Sequence, residues 1–564
     1  MRPLCKISGE FMAKGKSKAE KIIVAAVAAI VAAAVLVSGY LFWYKPKKTD
    51  KTVTGGGSGT KQSVDITPAE ISYETAQFNG YKVPGAFEEI LTQAEKDSAK
   101  ACRKYGTALT VGDSDISEIE FGMVYFDMFI YAIDGEIGDP NGFTPEATAA
   151  PSAQEYGSTG YNWDTRLTGA TADELQRRYL LFRDALENGF LPSDDLVTEL
   201  ADLKKSIISN AESKKITPDE ELSGSYFEGA TADLYIRNLI IRGYADEYEK
   251  AVKSAFDAKT EDSEVKAVYE KNPSAYNYVD VRIFTIFPDD DEGVKRAKKE
   301  VKDLESFYKF GADYFSAYMD DYESMQEEET RRHFITYGRL EQLFGESIAE
   351  WCFAPGRKEG DVEVIKGIIY NCLIFVEKPQ YSPDSVNFYE SLTFFNADML
   401  PAQSEAEKKT AKEEVELHYN LLKKNNGSVE TMKQIADNYN ESVLSYETRG
   451  LREKVHASEM DYNTARWMLS PDRKKGDYEV LENSTGFGLY YYDGTNEGDT
   501  DAYAAIREDI ADKAYESYYE SLENFKDNQT VKNNTVIKKA AAKGEKACSD
   551  FAAKTAERQN SQQQ

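Results

Sequence analysis

Residues that build disulfide scaffolds and metal sites are scarce in this chain of 564 residues. It holds five cysteines and three histidines, and their scattered positions fit neither a disulfide framework nor a shared metal site. We therefore expect no cofactor and no metal. Positive charge is also short, because 98 Asp and Glu outnumber 68 Lys and Arg and give a formal net charge of −30. Phosphate binding needs concentrated Lys and Arg, so this balance argues against nucleic acid as a partner.

One long apolar stretch lies near the N-terminus. Residues 22–44 are uncharged and would extend about 34 Å as a helix, which is enough to cross a bilayer. Several lysines precede the stretch, and Trp43 and Tyr44 lie where an aromatic belt is expected. The pattern predicts a cytoplasmic tail over 1–21, a single-pass signal anchor in the cell membrane over 22–44, and an extracytoplasmic location for the bulk of the chain. Cleavage after Gly39, as in a signal peptide, is the alternative.

The length of the chain predicts several domains. A Gly- and Ser-rich segment predicts a flexible linker over 45–70. From 71 to 271 the pattern is mostly helical, and Ile236, Ile240 and Tyr244, for example, recur at the spacing of an amphipathic helix. We expect a domain made of helices alone in this part of the chain.

Two segments in the second half of the chain have the same pattern. The sequence "WCFAPGRKEGDVEV" starts at Trp351, and "WMLSPDRKKGDYEV" starts at Trp467. A shift of 116 positions aligns the tryptophan, the proline, the Arg-Lys pair, the Gly-Asp pair and the Glu-Val pair without a gap, and it also aligns Leu373 with Leu489. Self-similarity at a fixed offset predicts a duplicated domain.

Each copy is expected to be a small α+β domain. The β-branched and aromatic stretch 278–287 predicts a strand. Two helices follow, then the Trp351 segment, then a second strand at 371–378. This gives a β-α-α-β order, and we place the two copies at 277–380 and 384–498.

Several stretches of the sequence resemble parvulin-type peptidyl-prolyl isomerases. "FYKFGADYFSAYMDDYES" is similar to the glycine, aromatic and Asp/Glu-Tyr-Ser helix of that family. "GRLEQLFGESIAEWCFAPGRKEGDVEV" is similar to its Gly-x-Met and Phe helix and to its Leu-Lys-Pro-Gly-Glu-Val turn. "VYEKNPSAYNYVDVRIF" resembles the junction between the helical chaperone domain and the parvulin strand in membrane-anchored extracytoplasmic foldases of the PrsA and SurA kind.

The resemblance implies an α+β multidomain chain. Its parts would be an N-terminal transmembrane helix, an all-α chaperone-like domain over 71–271, two tandem parvulin-like domains, and a C-terminal helix and tail over 499–564. The stretch 503–525 carries apolar side chains at spacings of three and four, so it predicts an amphipathic helix. We expect this helix to return to the helical domain and pack against it.

The resemblance also implies a proline-binding pocket in the first copy. Leu340 and Phe344 fall where the Met and Phe of the family hold a proline ring. The two facing histidines of the family are missing, because their positions fall on Ile283 and Cys372. Together with Phe353, these four residues form the expected substrate-binding set, and the catalytic residues stay open.

Two other positions bear on this pocket. In the second copy, the second histidine position falls on Gly488. His333 precedes the Gly338 turn, so we expect an ordinary exposed histidine outside the pocket. For Cys372, a buried inert thiol is favoured over a nucleophile, because apolar residues surround it and no histidine lies near it in the motif.

Three functions from different classes follow. The first is a chaperone or foldase that binds unfolded or newly secreted polypeptides and has weak or no prolyl isomerase activity. The second is an active isomerase with a non-standard pocket, since isomerisation breaks no bond and a barrier of about 18–20 kcal/mol is lowered by desolvating and twisting the amide. The third is a passive envelope scaffold. We favour the first, with polypeptide clients and the membrane as partners, and the oligomeric state stays open.

Overall fold

The computed structural model describes residues 61–562, apart from 68–69, 134–136, 139–143, 158, 317–329, 397–401, 403, 443–444 and 446–447. The described chain divides into two compact units. The repeat unit is Thr260–Ile510, and the split unit comprises the described residues up to Lys259 together with those from Ala511 onward. The transmembrane span predicted over 22–44 lies outside the described residues. Within the described ranges, no helix combines the length and apolar character needed to cross a bilayer.

The first part of the split unit alternates short strands with long helices. The start of its fourth helix is fixed by Ser193, whose hydroxyl accepts a hydrogen bond from the Leu196 N–H at 3.3 Å. In chain order the elements are β1 (Thr75–Phe78), β2 (Tyr81–Pro84), α1 (Gly85–Tyr105), β3 (Thr107–Val111), β4 (Ser114–Ser117), α2 (Glu118–Ile133), α3 (Trp163–Glu187), α4 (Asp194–Lys214), α5 (Pro218–Ser225) and α6 (Ala232–Asp257).

The repeat unit contains two successive sets of strands and helices. The first set is α7 (Asp262–Lys271), β5 (Tyr278–Ile286), α8 (Asp291–Glu300), α9 (Leu304–Ser316), β6 (Arg331–Thr336), α10 (Tyr337–Phe344), α11 (Glu346–Cys352), β7 (Val362–Lys366) and β8 (Asn371–Tyr381). The second set is β9 (Asp384–Phe394), α12 (Glu405–Lys424), α13 (Val429–Tyr439), β10 (Leu451–Val455), α14 (Tyr462–Met468), β11 (Tyr478–Glu482) and β12 (Gly486–Thr500). We call the part from β5 to β8 the first repeat and the part from β9 to β12 the second repeat.

The chain then re-enters the split unit. Helix α15 (Asp501–Glu523) begins in the repeat unit and ends in the split unit, since the boundary follows Ile510. Strand β13 (Thr530–Lys532) and helix α16 (Asn534–Gln562) follow. β13 pairs antiparallel with β3 and completes the three-stranded sheet β13-β3-β4. The sequence predicted only a tail after the returning helix, and β13 and α16 correct this expectation.

The second half of α15 belongs to the main core of the split unit. Tyr515 and Tyr518 are buried in the same hydrophobic cluster as Ile236. The Tyr518 hydroxyl donates to the Asp184 carboxylate and lies 3.1 Å from the hydroxyl of Tyr248. These contacts join residues about 300 positions apart, so the core of this unit needs both segments of the chain.

The end of the predicted linker is packed against the split unit. Lys61 forms ion pairs with Asp184 and Glu187, and Val64 is buried in the main core. The flexible linker predicted over 45–70 is therefore too long at its C-terminal end.

Each repeat is a four-stranded antiparallel sheet with helices on both faces. The strand orders are β6-β5-β8-β7 and β10-β9-β12-β11, so the two sheets have the same topology. Side chains alternate across a strand, and Ile283 therefore packs with the α10–α11 side of the first sheet while Phe284 packs with the α8–α9 side. In the second repeat, α12 and α13 cover one face and α14 covers the other.

The duplicated tryptophan segments have the same local structure. In the first, Arg357 donates from Nε to the Trp351 carbonyl at 3.1 Å, and its guanidinium lies 4.2 Å from the indole centroid. Nη1 of the same arginine lies 3.2 Å from the Asp361 carboxylate. Arg473 makes these three contacts in its own repeat at 3.1, 3.9 and 3.3 Å. The residues that align at the 116-residue offset are those that fix this turn.

The architecture expected from the sequence is corrected by these observations. The described part of the chain is α+β, with 16 α-helices and four small sheets. The domain expected to be all-α contains β1 to β4 and is completed by β13. Each repeat has four strands instead of the two in the expected β-α-α-β order, which left out β6 and β7 in the first repeat. The expected transmembrane helix lies outside the described residues, and the described helices include none that could span a bilayer.

Candidate functional site

The five residues predicted to form a pocket lie in one hydrophobic cluster of the first repeat. Ile283 on β5 and Cys372 on β8 face the same side of the sheet. Leu340 and Phe344 lie one turn apart on α10, and Phe353 follows α11. The cluster fills the space between the sheet and these two short helices.

This cluster is closed to solvent. Four of the five residues have at most 4% of their surface exposed, and Phe344 alone is half-buried. Burial raises the pKa of the Cys372 thiol to about 11, so the thiol stays protonated near neutral pH and is a poor nucleophile. A ligand that approaches the described surface meets Phe344 and not the four residues beneath it.

The hairpin between β7 and β8 presents apolar side chains directly beside this cluster. Ile368 and Ile369 at its turn are 62% and 66% exposed, and Tyr370 is also exposed. The hairpin is held in place because the Ile368 N–H donates to the Phe344 carbonyl at 3.0 Å. Turns between strands normally carry Gly, Asn, Asp or Ser, so two outward isoleucines need another explanation.

Two glycines allow the hairpin to approach α10 closely. Gly345 ends α10 with a φ of +108°, a conformation that favours glycine. A Cβ at Gly367 would lie 2.7 Å from the Phe344 carbonyl oxygen, so a side chain there would push the hairpin away from the helix. The exposed isoleucines are thus fixed on a rigid support.

The exposed apolar surface continues on both sides of the hairpin. Leu343, next to Phe344 on α10, is exposed, and so is Phe287 at the end of β5. The Asn371 amide joins the hairpin to this strand end by donating to the Phe287 carbonyl at 3.3 Å. We call the five exposed side chains at this end of the sheet the apolar tip: Phe287, Leu343, Ile368, Ile369 and Tyr370. Several apolar side chains held outward on neighbouring segments are typical of an interaction site.

The matching hairpin of the second repeat is polar. At the 116-residue offset, its turn consists of Asn483, Ser484, Thr485 and Gly486. The turn is closed by the same hydrogen bond, since Asn483 N–H donates to the Gly486 carbonyl at 3.0 Å and Gly367 N–H donates to the Tyr370 carbonyl at 2.8 Å. Hairpin geometry therefore does not require apolar residues at this position.

The interior of the second repeat is filled in a different way. Gly488 stands at the position of Cys372, and the ring of Tyr490 covers it, because a Cβ on Gly488 would lie 2.4 Å from that ring. Glu390 pairs with Tyr490 across the second sheet, and the equivalent pair in the first sheet is Ile283 with Ile374. A buried carboxylate therefore stands where the first repeat has an apolar side chain. Two serine hydroxyls donate to this carboxylate at 2.8 and 2.9 Å and satisfy it.

His333 is not the exposed histidine that the sequence predicted. It lies on β6 with 11% of its side chain exposed, and its Nδ1 is 3.1 Å from Oδ2 of Asp280. The neighbouring Glu377 binds Arg282 at 2.8 Å and Arg331 at 3.1 Å. These ion pairs connect β6 to β5 and β8. They lie toward the start of β5, whereas the apolar tip lies at its end.

An open groove of about 430 Å³ lies on the second repeat. Leu417 and Leu421 of α12 line it together with Tyr439, whose ring stacks on His418 at 4.4 Å between centroids. Burial lowers the pKa of His418, so this imidazole is neutral near pH 7. In the part of the chain that the structure describes, no group of three or more His, Cys, Asp or Glu side chains is placed to hold a metal ion.

The residues predicted to bind substrate belong to the buried cluster, and no residue of the apolar tip was among them. The information was present in the duplication, because the 116-residue alignment places "GIIYN" at 367–371 against "NSTGF" at 483–487. A difference in polarity between two copies of one hairpin is the pattern that would have found it.

Comparison with known proteins adds no assignment to this geometry. No protein-family model matches the chain, and no curated protein matches its sequence.

Proposed function

We propose that this protein is a chaperone of the parvulin-like foldase kind, which binds non-native polypeptides through the apolar tip of its first repeat. Unfolded chains expose the apolar segments that such a surface buries. The observation that carries the proposal is the contrast between the two repeats: one hairpin geometry has Ile-Ile-Tyr in the first and Ser-Thr-Gly in the second.

The proposal includes weak or no prolyl isomerase activity. The resemblance assigns the two parvulin histidine positions to Ile283 and Cys372, and both of these side chains are buried in the core. Leu340, expected to hold a proline ring, is fully buried as well. A proline side chain therefore has no open pocket to enter at this cluster of the first repeat.

The apolar tip has enough surface to account for measurable binding. Fully burying an Ile or Phe side chain stabilises a complex by about 1.5–3 kcal/mol. Ile368 and Ile369 each have about two-thirds of that surface available, so the three hairpin residues together offer about 3 kcal/mol. Their loss is expected to weaken binding about 100-fold.

The test transplants the polar hairpin of the second repeat into the first. The variant Ile368→Ser, Ile369→Thr, Tyr370→Gly keeps Gly367 and therefore keeps the contact with α10. The control variant Ile216→Thr, Val531→Ser removes two exposed apolar side chains from the split unit. Both variants and the wild-type full chain are compared by their suppression of aggregation of a reduced, unfolded reporter protein and by their affinity for a labelled unfolded peptide.

The proposal predicts that the transplant loses most of both activities while the control retains them. Equal circular dichroism spectra and melting curves establish that the transplant is folded. Full activity in the folded transplant would overturn the proposal. Acceleration of proline-limited refolding at catalytic ratios would instead support the active isomerase.

A further inference from the structure

The surroundings of the apolar tip are acidic. Directly after Phe287 the chain reads Pro-Asp-Asp-Asp-Glu, which places four acidic residues and no basic one beside the tip. Glu341 and Glu346 lie on either side of Leu343 and Phe344 in the sequence. Gly345, next to Glu346, is close enough to Ile368 that a Cβ on it would lie 3.3 Å from that side chain.

Several of these carboxylates are available to a ligand. Asp289, Asp291, Glu341 and Glu346 are exposed, and none of them forms an ion pair within the described residues. We call these four residues the acidic rim. Arg339 and Lys366 also lie in the adjoining segments. Lys295 and Arg296 follow Asp291 on α8, but they pair with Glu292 and Glu300, so the rim keeps an excess of negative charge.

The carboxylates on the α10–α11 side act on the same region of the surface. The pKa of Tyr337 is raised first by burial and then by Glu350, Glu341 and Glu346. These three carboxylates therefore combine their negative potential around Tyr337, at the start of α10. Glu341 and Glu346 also belong to the acidic rim, so a cationic group bound beside Leu343 and Phe344 would be stabilised by them.

We infer that the apolar tip selects polypeptide segments in which apolar residues are flanked by lysine or arginine. The inference rests on the proposed function, because it assumes that the tip is the binding surface, and it adds the chemistry of the preferred client. The apolar part of the client packs on Ile368 and Ile369, and its basic flanks face the acidic rim. Electrostatic complementarity of this kind gives specificity and faster association more than raw affinity.

The experiment uses two labelled peptides with the same apolar core, one flanked by lysines and the other by glutamates. Fluorescence anisotropy measures their affinities for the full chain at low salt and at about 1 M salt, where the screening length falls to about 3 Å. We expect the Lys-flanked peptide to bind at least about tenfold more tightly at low salt, and we expect this preference to disappear at high salt.

A pair of charge-reversal variants locates the effect. Glu341→Lys with Glu346→Lys changes the rim. The control Glu413→Lys with Glu416→Lys makes the same change of charge on the exposed side of α12 in the second repeat. The rim variant is expected to lose the preference for the Lys-flanked peptide, and the control is expected to keep it.

The outcomes separate this inference from the proposed function. An equal loss of preference in both variants would show that the net charge of the chain, and not the rim, selects the client, and would overturn the inference alone. A wild-type chain that binds both peptides equally at low salt would also overturn it and leave the proposed function standing. If the hairpin transplant binds both peptides as tightly as the wild type, the proposed function fails and the inference fails with it.

Discussion

Replacing Gly544 by alanine is expected to destabilise the split unit, although helices normally favour alanine over glycine. At this residue α16 crosses α2, and a Cβ on Gly544 would lie 2.5 Å from Cδ1 of Tyr125 and 2.8 Å from the carbonyl oxygen of Gly122. Carbon atoms in packed interiors approach to about 3.5–4.0 Å. Because Tyr125 is fully buried and the other contact is backbone, the two helices have to separate by about 1 Å.

The expected magnitude is the difference between two opposing terms. Alanine in a helix interior is favoured over glycine by about 1 kcal/mol, whereas overpacking a well-filled core costs about 1–3 kcal/mol. The upper end applies here, since the contacts are with a fully buried ring and a helix backbone, and the net loss is about 1–2 kcal/mol. Gly169 on α3 is the matched control: it is exposed, and a Cβ there meets no atom within 4 Å. Gly169→Ala should therefore stabilise the same unit by about 1 kcal/mol.

The two substitutions are compared by urea unfolding followed by circular dichroism, with hydrogen exchange measured by mass spectrometry in α2 and α16. We expect the unfolding midpoints to move in opposite directions. Protection of the amides of α2 should fall in Gly544→Ala and stay unchanged or rise in Gly169→Ala. If Gly544→Ala stabilises the chain as much as Gly169→Ala does, α16 does not pack on α2 and the description of this core is wrong.

Three further predictions concern the repeat unit. Arg473→Lys loses the carbonyl hydrogen bond and the indole stacking of its turn, so the unit should unfold about 2 kcal/mol more easily in urea. On the edge strands β7 and β11, the carboxylates of Glu363 and Glu479 each accept a hydrogen bond from the backbone N–H of the following residue, at 2.9 and 3.2 Å. Replacing both glutamates by alanine leaves these backbone N–H groups free to pair with a strand of another molecule. Light scattering should therefore detect concentration-dependent association that the wild type lacks. The Asp501 carboxylate, 3.4 Å from Nδ1 of His456, raises the pKa of that imidazole above its ordinary 6.5. The ion pair stabilises the folded state fully below about pH 6.5, and this contribution is lost as the pH rises through the folded-state pKa of His456. The melting temperature should therefore fall over this pH range in the wild type and stay level in His456→Gln.

Features determined by nearby residues are the ones that the sequence predicted well. Helix caps are features of this kind: Ser193 caps α4, and Asp290 accepts a hydrogen bond from the Gly293 N–H at 2.7 Å at the start of α8. The apolar spacing of the returning helix predicted a packed face, and Tyr518 and Leu522 are indeed buried. In each case the relevant partners lie within a turn or two along the chain, where residue type and spacing carry the information.

Features determined by distant partners were missed. β13 has three residues, too few to show a strand period, and it exists as a strand because it pairs with β3 more than 400 positions earlier. α16 is rich in alanine and lysine and has a weak apolar stripe, and it is stabilised by packing on α2, where Gly122 and Gly544 permit a close crossing. Neither contact leaves a pattern in the local sequence.

The candidate site divides in the same way. Leu340 and Phe344 are brought together by their spacing on α10, and the sequence was sufficient to group them. Their exposure was not predictable, because it depends on how closely α10 and α11 lie on the sheet. The partner that buries His333 is Asp280, which lies on a different strand more than 50 positions earlier.

The position of the proposed surface changes what kind of selectivity is expected. A pocket between sheet and helix would recognise one side chain by shape, as a proline site does, but here that space is occupied by Leu340, Cys372 and their neighbours. Under the proposed function, a hairpin that carries Ile368 and Ile369 outward would contact a client from one side only. Contact of this kind depends on the apolar area buried and not on the outline of a single residue. It therefore tolerates many client sequences, and selection among them is left to the charges around the contact. The proposed function therefore assigns general chaperone binding, and not proline-specific catalysis, to the closed interior and open rim of the first repeat. The polar hairpin of the second repeat maintains the shared fold without such a surface.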